Sequence, residues 1–121
     1  MPVSRSIAPA LFGLMALLPM GAWAHAILVQ SSPATGATVQ AGKLDLSFRF
    51  NSRIDRVRSR LTLTKPDHGQ SVLPITPSGS PDTLQASLTV TAPGAYTVRW
   101  QVLAIDGHIT RGDVAFTVAD H

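Results

Sequence analysis

Two places in the sequence combine histidine with another group that can bind a metal ion. Asp106 and His108 are separated by Gly107, and in an extended or turning backbone residues two apart can project toward the same side. A carboxylate oxygen and an imidazole nitrogen would then face one point. The second place is His25, which follows the small-residue site Ala22-Trp23-Ala24. Together these residues offer nitrogen and oxygen donors for one metal ion.

Residues 1–24 have the three parts of a secretory signal peptide. Arg5 is their only charged residue, an apolar run covers residues 7–18, and a small-residue site precedes His25. The apolar run is shorter than the roughly 20 residues that a membrane span requires, which favours cleavage over anchoring. We therefore expect export to the periplasm and a single mature domain of residues 25–121.

Cleavage after Ala24 would give His25 a free α-amino group beside its imidazole. These two nitrogens can close one chelate ring on a metal, and Asp106 and His108 could complete the set. Such donors suit Cu(II), which prefers nitrogen and oxygen ligands in a tetragonal plane. The simpler interpretation is that Asp106-Gly107 forms a hairpin turn with His108 exposed beside it, and the two interpretations are compatible.

Soft metal ligands are missing from the predicted mature chain. The sequence has no cysteine, and Met1, Met15 and Met20 all lie in the predicted signal peptide. This composition argues against a Cu(I) thioether site, a blue-copper centre and a cysteine zinc site. Of the remaining histidines, His68 is predicted at an exposed hairpin tip and His121 in a frayed chain end.

The elements that must position these residues are predicted to be β-strands. With 121 residues, 45% hydrophobic and 14% charged, the chain has the composition of one globular domain. Apolar residues alternate with polar ones between turn signals rich in Gly and Pro, which favours a seven-stranded antiparallel sandwich or small Greek-key barrel. The predicted strands cover residues 27–30, 44–50, 58–64, 71–75, 84–90, 96–102 and 114–118. Any immunoglobulin likeness is architectural, because the cysteine pair of antibody domains is absent.

The charge pattern gives weaker indications. The net charge of +3, the lack of glutamate and the dispersed aspartates argue against a nucleic-acid partner. Arg56, Arg58 and Arg60 alternate and are predicted on one strand face, where they would protect a sheet edge or dock on an acidic partner or anionic lipid. Trp100 is predicted in the core, where it could lie under the metal site.

Several segments resemble the CopC family of periplasmic copper-binding proteins. The most specific part of the resemblance is an N-terminal histidine combined with an aspartate-x-histidine triplet late in the chain. The segments that carry it are His25-Ala26, Ser31-Ser32-Pro33-Ala34, residues 44–50, Tyr96-Thr97-Val98-Arg99-Trp100, Asp106-Gly107-His108 and residues 112–116.

The resemblance implies a Greek-key β-barrel of immunoglobulin-like shape that binds one Cu(II) through the amine and imidazole of His25, Asp106 and His108. It implies a monomeric, non-catalytic protein of copper homeostasis or resistance that buffers copper or delivers it to a CopD-type inner-membrane protein. Residues 71–83, where some family members are rich in methionine, contain none, which resembles a Cu(II)-only branch. Many relatives have a glutamate near the copper where this chain reads Asn51-Ser52. Whether Asp106 binds the metal or orients an imidazole stays open.

Two other functions compete with a copper carrier. A copper oxygenase of the lytic polysaccharide monooxygenase type also uses an N-terminal histidine chelate, but the short chain and few aromatic residues argue against it. A metal-free β-sandwich interaction module is the third alternative, with the face of Arg56, Arg58 and Arg60 as its interface.

Overall fold

The computed structural model describes residues 26–120, and all regular elements in this range are β-strands. The predicted signal peptide, His25 and His121 lie outside the described residues. The strands are β1 Leu28–Ser32, β2 Thr38–Val39, β3 Gly42–Phe50, β4 Ile54–Thr64, β5 Gln70–Leu73, β6 Thr83–Val90, β7 Gly94–Ala104 and β8 Ile109–Val118.

Alternation of apolar and polar residues forms these strands, because successive side chains of a strand point to opposite faces. In β3, Leu46, Phe48 and Phe50 are buried while the residues between them are more exposed. The long strands β7 and β8 follow the same rule. Their buried side chains are Tyr96, Val98, Trp100, Val102, Ala104, Val114, Phe116 and Val118.

The strands form two sheets that enclose one apolar core. The first sheet has the order β1-β3-β6 and the second the order β2-β8-β7-β4-β5. The chain passes repeatedly from one sheet to the other, so residues distant in sequence face each other across the core.

The predicted all-β sandwich is confirmed, with three differences in detail. The described residues contain eight strands instead of seven, because the two-residue strand β2 is too short to show an alternating pattern. β2 also pairs with β8 in parallel, whereas the other pairs are antiparallel. The two sheets are open and share no strand, so the fold is a sandwich and not a closed barrel.

One end of the sandwich gathers four segments of the chain, and we call it the hairpin end. Here β7 turns into β8 after the last strand pair, Leu103 with Ile109. β4 begins beside it, with Ile54 paired to Ala104. In the other sheet β1 begins where β3 finishes, with Leu28 paired to Phe50. The first described residues and the β7–β8 turn are thus brought to the same end.

Candidate metal centre

The β7–β8 turn joins two strands by a tight loop with a defined backbone. The amide of Gly107 donates to the carbonyl of Ala104 at 2.9 Å, and the amide of Ala104 donates to the carbonyl of His108 at 2.9 Å. Gly107 has a φ of 92°, a left-handed conformation that glycine adopts without steric cost. The predicted Asp-Gly hairpin turn is therefore confirmed.

The turn brings the side chains of Asp106 and His108 together. Asp106 Oδ1 accepts a hydrogen bond from the His108 amide at 3.0 Å, while Asp106 Oδ2 lies 3.1 Å from His108 Nδ1. The side chain of His108 is 56% exposed and that of Asp106 is 30% exposed. An imidazole and a carboxylate thus lie side by side at the surface, accessible to a metal ion.

The first described residues run beside this turn and are held by hydrogen bonds on both sides. Thr110 Oγ1 donates to the carbonyl of Ala26 at 2.7 Å. Asn51 makes two bonds with Ile27, accepting from its amide through Oδ1 at 2.8 Å and donating its own amide to the Ile27 carbonyl at 3.0 Å. Ala26 is only 1% exposed, so the chain enters the fold at a fixed position beside β8.

Among residues 26–120, no group of three or more His, Cys, Asp or Glu side chains is close enough to hold a metal ion. Asp106 and His108 are the two predicted ligands that this range contains, and they are adjacent. The third, His25, precedes Ala26 and lies outside the described residues. A complete site built on this pair would therefore need donors from beyond the described range or donors of another type.

The other candidate residues lie elsewhere. His68 belongs to the β4–β5 turn at the opposite end of the five-stranded sheet, as expected for a hairpin tip. Trp100 lies in the core, where its ring meets that of Phe50 edge-on with centroids 5.1 Å apart. It also covers Gly112, where a Cβ atom would lie 2.5 Å from Cζ2 of the indole. Trp100 thus supports the sheet near the hairpin end, which agrees with the core prediction.

Two residues that hold the first described segment were not identified from the sequence. Asn51 stands where many relatives have a glutamate. The sequence therefore drew attention to this position, but it did not predict the hydrogen bonds of Asn51 with Ile27. Thr110 carried no signal at all, because threonine is common in β-strands whatever its contacts. Its partner Ala26 is 84 positions away in the sequence.

The comparison with known proteins decides the family. A family model described as the CopC domain matches residues 28–119. The chain belongs to the CopC family. The resemblance found in the sequence is thereby confirmed over nearly all of the described range.

Similar proteins include both sequences and solved structures. The chain is 33% identical to copper resistance protein C of Xanthomonas campestris pv. juglandis, over 94% of this chain and 96% of that protein. It is 31% identical to protein YobA of Escherichia coli K12, over 84% of this chain and 85% of that protein. The crystal structure of CopC from Methylosinus trichosporium OB3b superposes with a TM-score of 0.70 and 27% identity, covering 80% of this chain and 96% of that one. The crystal structure of PcoC, a methionine-rich copper resistance protein from Escherichia coli, superposes with a TM-score of 0.62 and 25% identity. The match covers 79% of this chain and 100% of that one.

Proposed function

We propose that this CopC-family chain binds one Cu(II) in the periplasm and serves copper homeostasis, by buffering the ion or passing it to a CopD-type inner-membrane protein. The observation that carries the proposal is the hydrogen bond between Thr110 and the carbonyl of Ala26. Thr110 follows His108 by two residues, and Ala26 follows His25 by one. The names of copper resistance protein C and PcoC support the same assignment.

The proposed ligands are the amine and imidazole of His25, with Asp106 and His108. Ala26, the first described residue, is held beside β8 by Thr110, and this contact supports the proposal that the residue before it contributes to a site at the β7–β8 turn. A free amine at residue 25 requires removal of residues 1–24, which we infer from their signal-peptide pattern. The donors would then be nitrogen and oxygen atoms, which suit Cu(II).

Asp106 can act on copper through His108. A metal-binding histidine usually donates its second ring N–H to a carboxylate or carbonyl, which fixes the tautomer and the ring orientation. Asp106 Oδ2 is 3.1 Å from Nδ1, so His108 would present Nε2 to the metal. A rotation of the carboxylate would let it bind the ion directly, and both arrangements keep Asp106 in the site.

The oxidation state follows from the ligand types. Cu(I) sites use thioether and thiolate ligands, and residues 25–121 contain neither methionine nor cysteine. The relative PcoC is described as methionine-rich, whereas all three methionines of this chain precede residue 25. We therefore assign a single Cu(II) site and no Cu(I) thioether site.

We assign no catalytic activity to the site. The described residues contain no helix able to span a membrane. The CopD-type membrane partner of this proposal rests on the resemblance found in the sequence.

Electron paramagnetic resonance tests this function. The chain is isolated from the periplasm, its N-terminal residue is determined by mass spectrometry, and one equivalent of Cu(II) is added. We expect a tetragonal, nitrogen-rich spectrum that is disrupted in a variant with one extra alanine before His25. Equal spectra for the two forms would exclude the amine as a ligand. Reductant-dependent peroxide production by the copper form would instead favour an oxygenase.

A further inference from the structure

An irregular segment of β4 lies at the hairpin end and contains none of the proposed copper ligands. Asp55 pairs with Leu103 and Arg60 pairs with Gln101. β4 thus advances five residues while β7 advances two, and residues 56–59 form a bulge. The sequence had predicted that Arg56, Arg58 and Arg60 share one strand face. That prediction is wrong, because the bulge breaks the alternation on which it depended.

The bulge has its own hydrogen-bond network. Asp55 Oδ1 accepts bonds from the amides of Val57 at 3.0 Å and Arg58 at 3.2 Å. Ser59 Oγ donates to the carbonyl of Asp55 at 2.6 Å and accepts from the amide of Leu103 at 3.2 Å. These bonds hold the backbone of residues 56–59 in a fixed shape.

Val57 is the most exposed of the large apolar residues in the described range, at 93%. It lies between Arg56 and Arg58 in the bulge. A branched aliphatic side chain gains nothing from this position within the domain, since it packs against almost nothing. The side chain is therefore available to a partner that accepts one apolar group beside positive charge.

The arginines around Val57 lack carboxylate partners within residues 26–120. The ion pairs of this range are Arg99 with Asp113 and His108 with Asp106. Arg56 donates to the carbonyl of Ser80 at 2.9 Å, and the carboxylate of Asp55 accepts from backbone amides. Positive charge is therefore concentrated in this stretch of the chain, on both sequence sides of Val57. The residues that carry it are Arg53, Arg56, Arg58 and Arg60.

Edge protection explains part of this arrangement. β5 pairs only with residues 61–64 of β4, so the bulge occupies a strand segment with one unpaired edge. Bulges and charged residues prevent such edges from pairing with other chains. A polar residue at position 57 would protect the edge equally well, however, so edge protection does not account for the valine.

We propose that the bulge of residues 56–59 docks the protein on an anionic membrane surface. Guanidinium groups bind phosphate in a bidentate manner, and basic residues near an anionic bilayer attract it within a Debye length. Valine is under-represented among the residues that dominate protein–protein binding, whereas an exposed aliphatic side chain can enter the boundary between head groups and acyl chains. The register pair of Ile54 with Ala104 then holds the turn of Asp106 and His108 close to the membrane.

Sedimentation with lipid vesicles tests this proposal, and it uses the secreted chain without copper. The vesicles contain phosphatidylcholine alone or an equal mixture with phosphatidylglycerol. We expect binding to the anionic vesicles at low ionic strength, weakened by salt. Arg58→Gln combined with Arg60→Gln should weaken it about 25-fold, at about fivefold for each arginine. Val57→Ser should remove the fraction of binding that survives high salt.

A matched control separates the bulge from general charge. Arg49→Gln removes one positive charge from β3 of the other sheet, where the Arg49 side chain donates hydrogen bonds to Gln30. It should change binding by less than about twofold. Equal effects of Arg49→Gln and Arg58→Gln, or equal binding to both vesicles, would overturn the proposal. Bulge-dependent binding to polyglutamate without binding to vesicles would overturn it in favour of an acidic protein.

Discussion

Two turns of the five-stranded sheet contain aspartate, glycine and histidine in different order. At the hairpin end the order is Asp106-Gly107-His108, and at the opposite end it is Asp67-His68-Gly69. Both turns share one backbone pattern. The amide of Lys65 donates to the carbonyl of Gly69 as that of Ala104 does to His108.

The aspartates also make the same backbone contact. Asp67 Oδ1 accepts from the amide of Gly69 at 2.9 Å, which matches the bond between Asp106 and the amide of His108 at 3.0 Å. Counted over residues 65–69 and 104–108, the fourth residue of each turn has a left-handed backbone. Its φ is 71° for His68 and 92° for Gly107. The fifth residue differs, being glycine in one turn and histidine in the other.

The fifth position decides whether a carboxylate and an imidazole meet. A Cβ atom placed on Gly69 would lie 3.0 Å from Asp67 Oδ1. A side chain at the fifth position of the turn therefore begins next to the aspartate carboxylate. His108 occupies that position and approaches Asp106 through Nδ1. His68 occupies the left-handed position instead, and no ion pair joins it to Asp67 within residues 26–120. The two turns thus differ in the order of glycine and histidine after the aspartate. Only the order aspartate-glycine-histidine brings the imidazole to the carboxylate.

The largest difference between the two turns should appear when each histidine is removed. We expect His108→Ala to lower Cu(II) affinity by at least about 100-fold, since even supporting residues of metal sites contribute 10- to 100-fold. His68→Ala should leave the affinity unchanged. Competition titration with a chelator of known affinity measures both variants. Similar losses for both would show that the turns are not functionally different.

Exchanging the order of residues within the first turn tests the comparison directly. Gly107→His combined with His108→Gly gives this turn the order of the other one. His68 already has a positive φ, so the variant should fold, yet its Cu(II) affinity should fall nearly as far as in His108→Ala. Circular dichroism and the same titration provide the measurements. Retained affinity would show that the position of histidine in the turn is unimportant.

The reverse exchange in the distal turn serves as its control. His68→Gly combined with Gly69→His should bring an imidazole to Asp67. No tight copper site should result, because the first described residues are held at the other end of the sheet. A second tight Cu(II) in the titration would show that an aspartate–histidine pair is sufficient by itself.

A smaller effect is expected at the segment that follows His25. Thr110→Val removes the hydrogen bond to the Ala26 carbonyl with little change in shape, and should weaken Cu(II) binding about tenfold, the lower range for supporting residues. Thr110→Ser should restore both affinity and spectrum. Thr97→Val makes the same chemical change far along β7 and should have no effect. If Thr110→Val changes only thermal stability, Thr110 is structural and does not position a ligand.

The smallest effect concerns the ion pair of Arg99 and Asp113, which lies midway between the two ends of the five-stranded sheet. Arg99 lowers the pKa of Asp113 below its ordinary value of 3.8. A carboxyl group whose pKa is lowered on folding stabilises the native state above its unfolded pKa, and this contribution is lost as the pH falls through the folded pKa. The pair is exposed, so its contribution is small.

Asp113→Asn should therefore reduce the free energy of unfolding slightly at neutral pH. The difference from the unsubstituted chain should shrink as the pH falls below 3.8, and urea unfolding at several pH values measures it. Arg99→Gln should give the same pH dependence, and neither variant should alter copper binding. A difference that is constant with pH would show that the ion pair does not cause it.

The alternating pattern of β3 shows how much of the fold can be predicted from the sequence. Leu46, Phe48 and Phe50 alternate with polar residues, and this pattern predicts a half-buried strand without knowledge of its neighbours. Strand β2 was missed because two residues cannot show a period. The bulge of residues 56–59 was missed because Arg56 and Arg60 fit an alternating pattern, and only pairing with β7 shows the extra residues.

The candidate site was predicted in its residue types and only partly in its geometry. The pair of Asp106 and His108 follows from a turn that is local in sequence, so its two members could be named from the sequence. Thr110 and Asn51 could not, because each acts on a segment that is distant in the chain. Their roles depend on strand register, which a single sequence does not contain.

The sequence by itself determined the all-β class, the Asp-Gly turn and the absence of soft copper ligands from residues 25–121. These properties follow from composition and from the period-two geometry of strands, which are local. The tertiary structure decided which of two similar turns lies beside the first described residues, and that β4 bulges around Val57. Both depend on how strands distant in sequence pair and pack, because register and sheet order are set by the buried core that the whole chain shares.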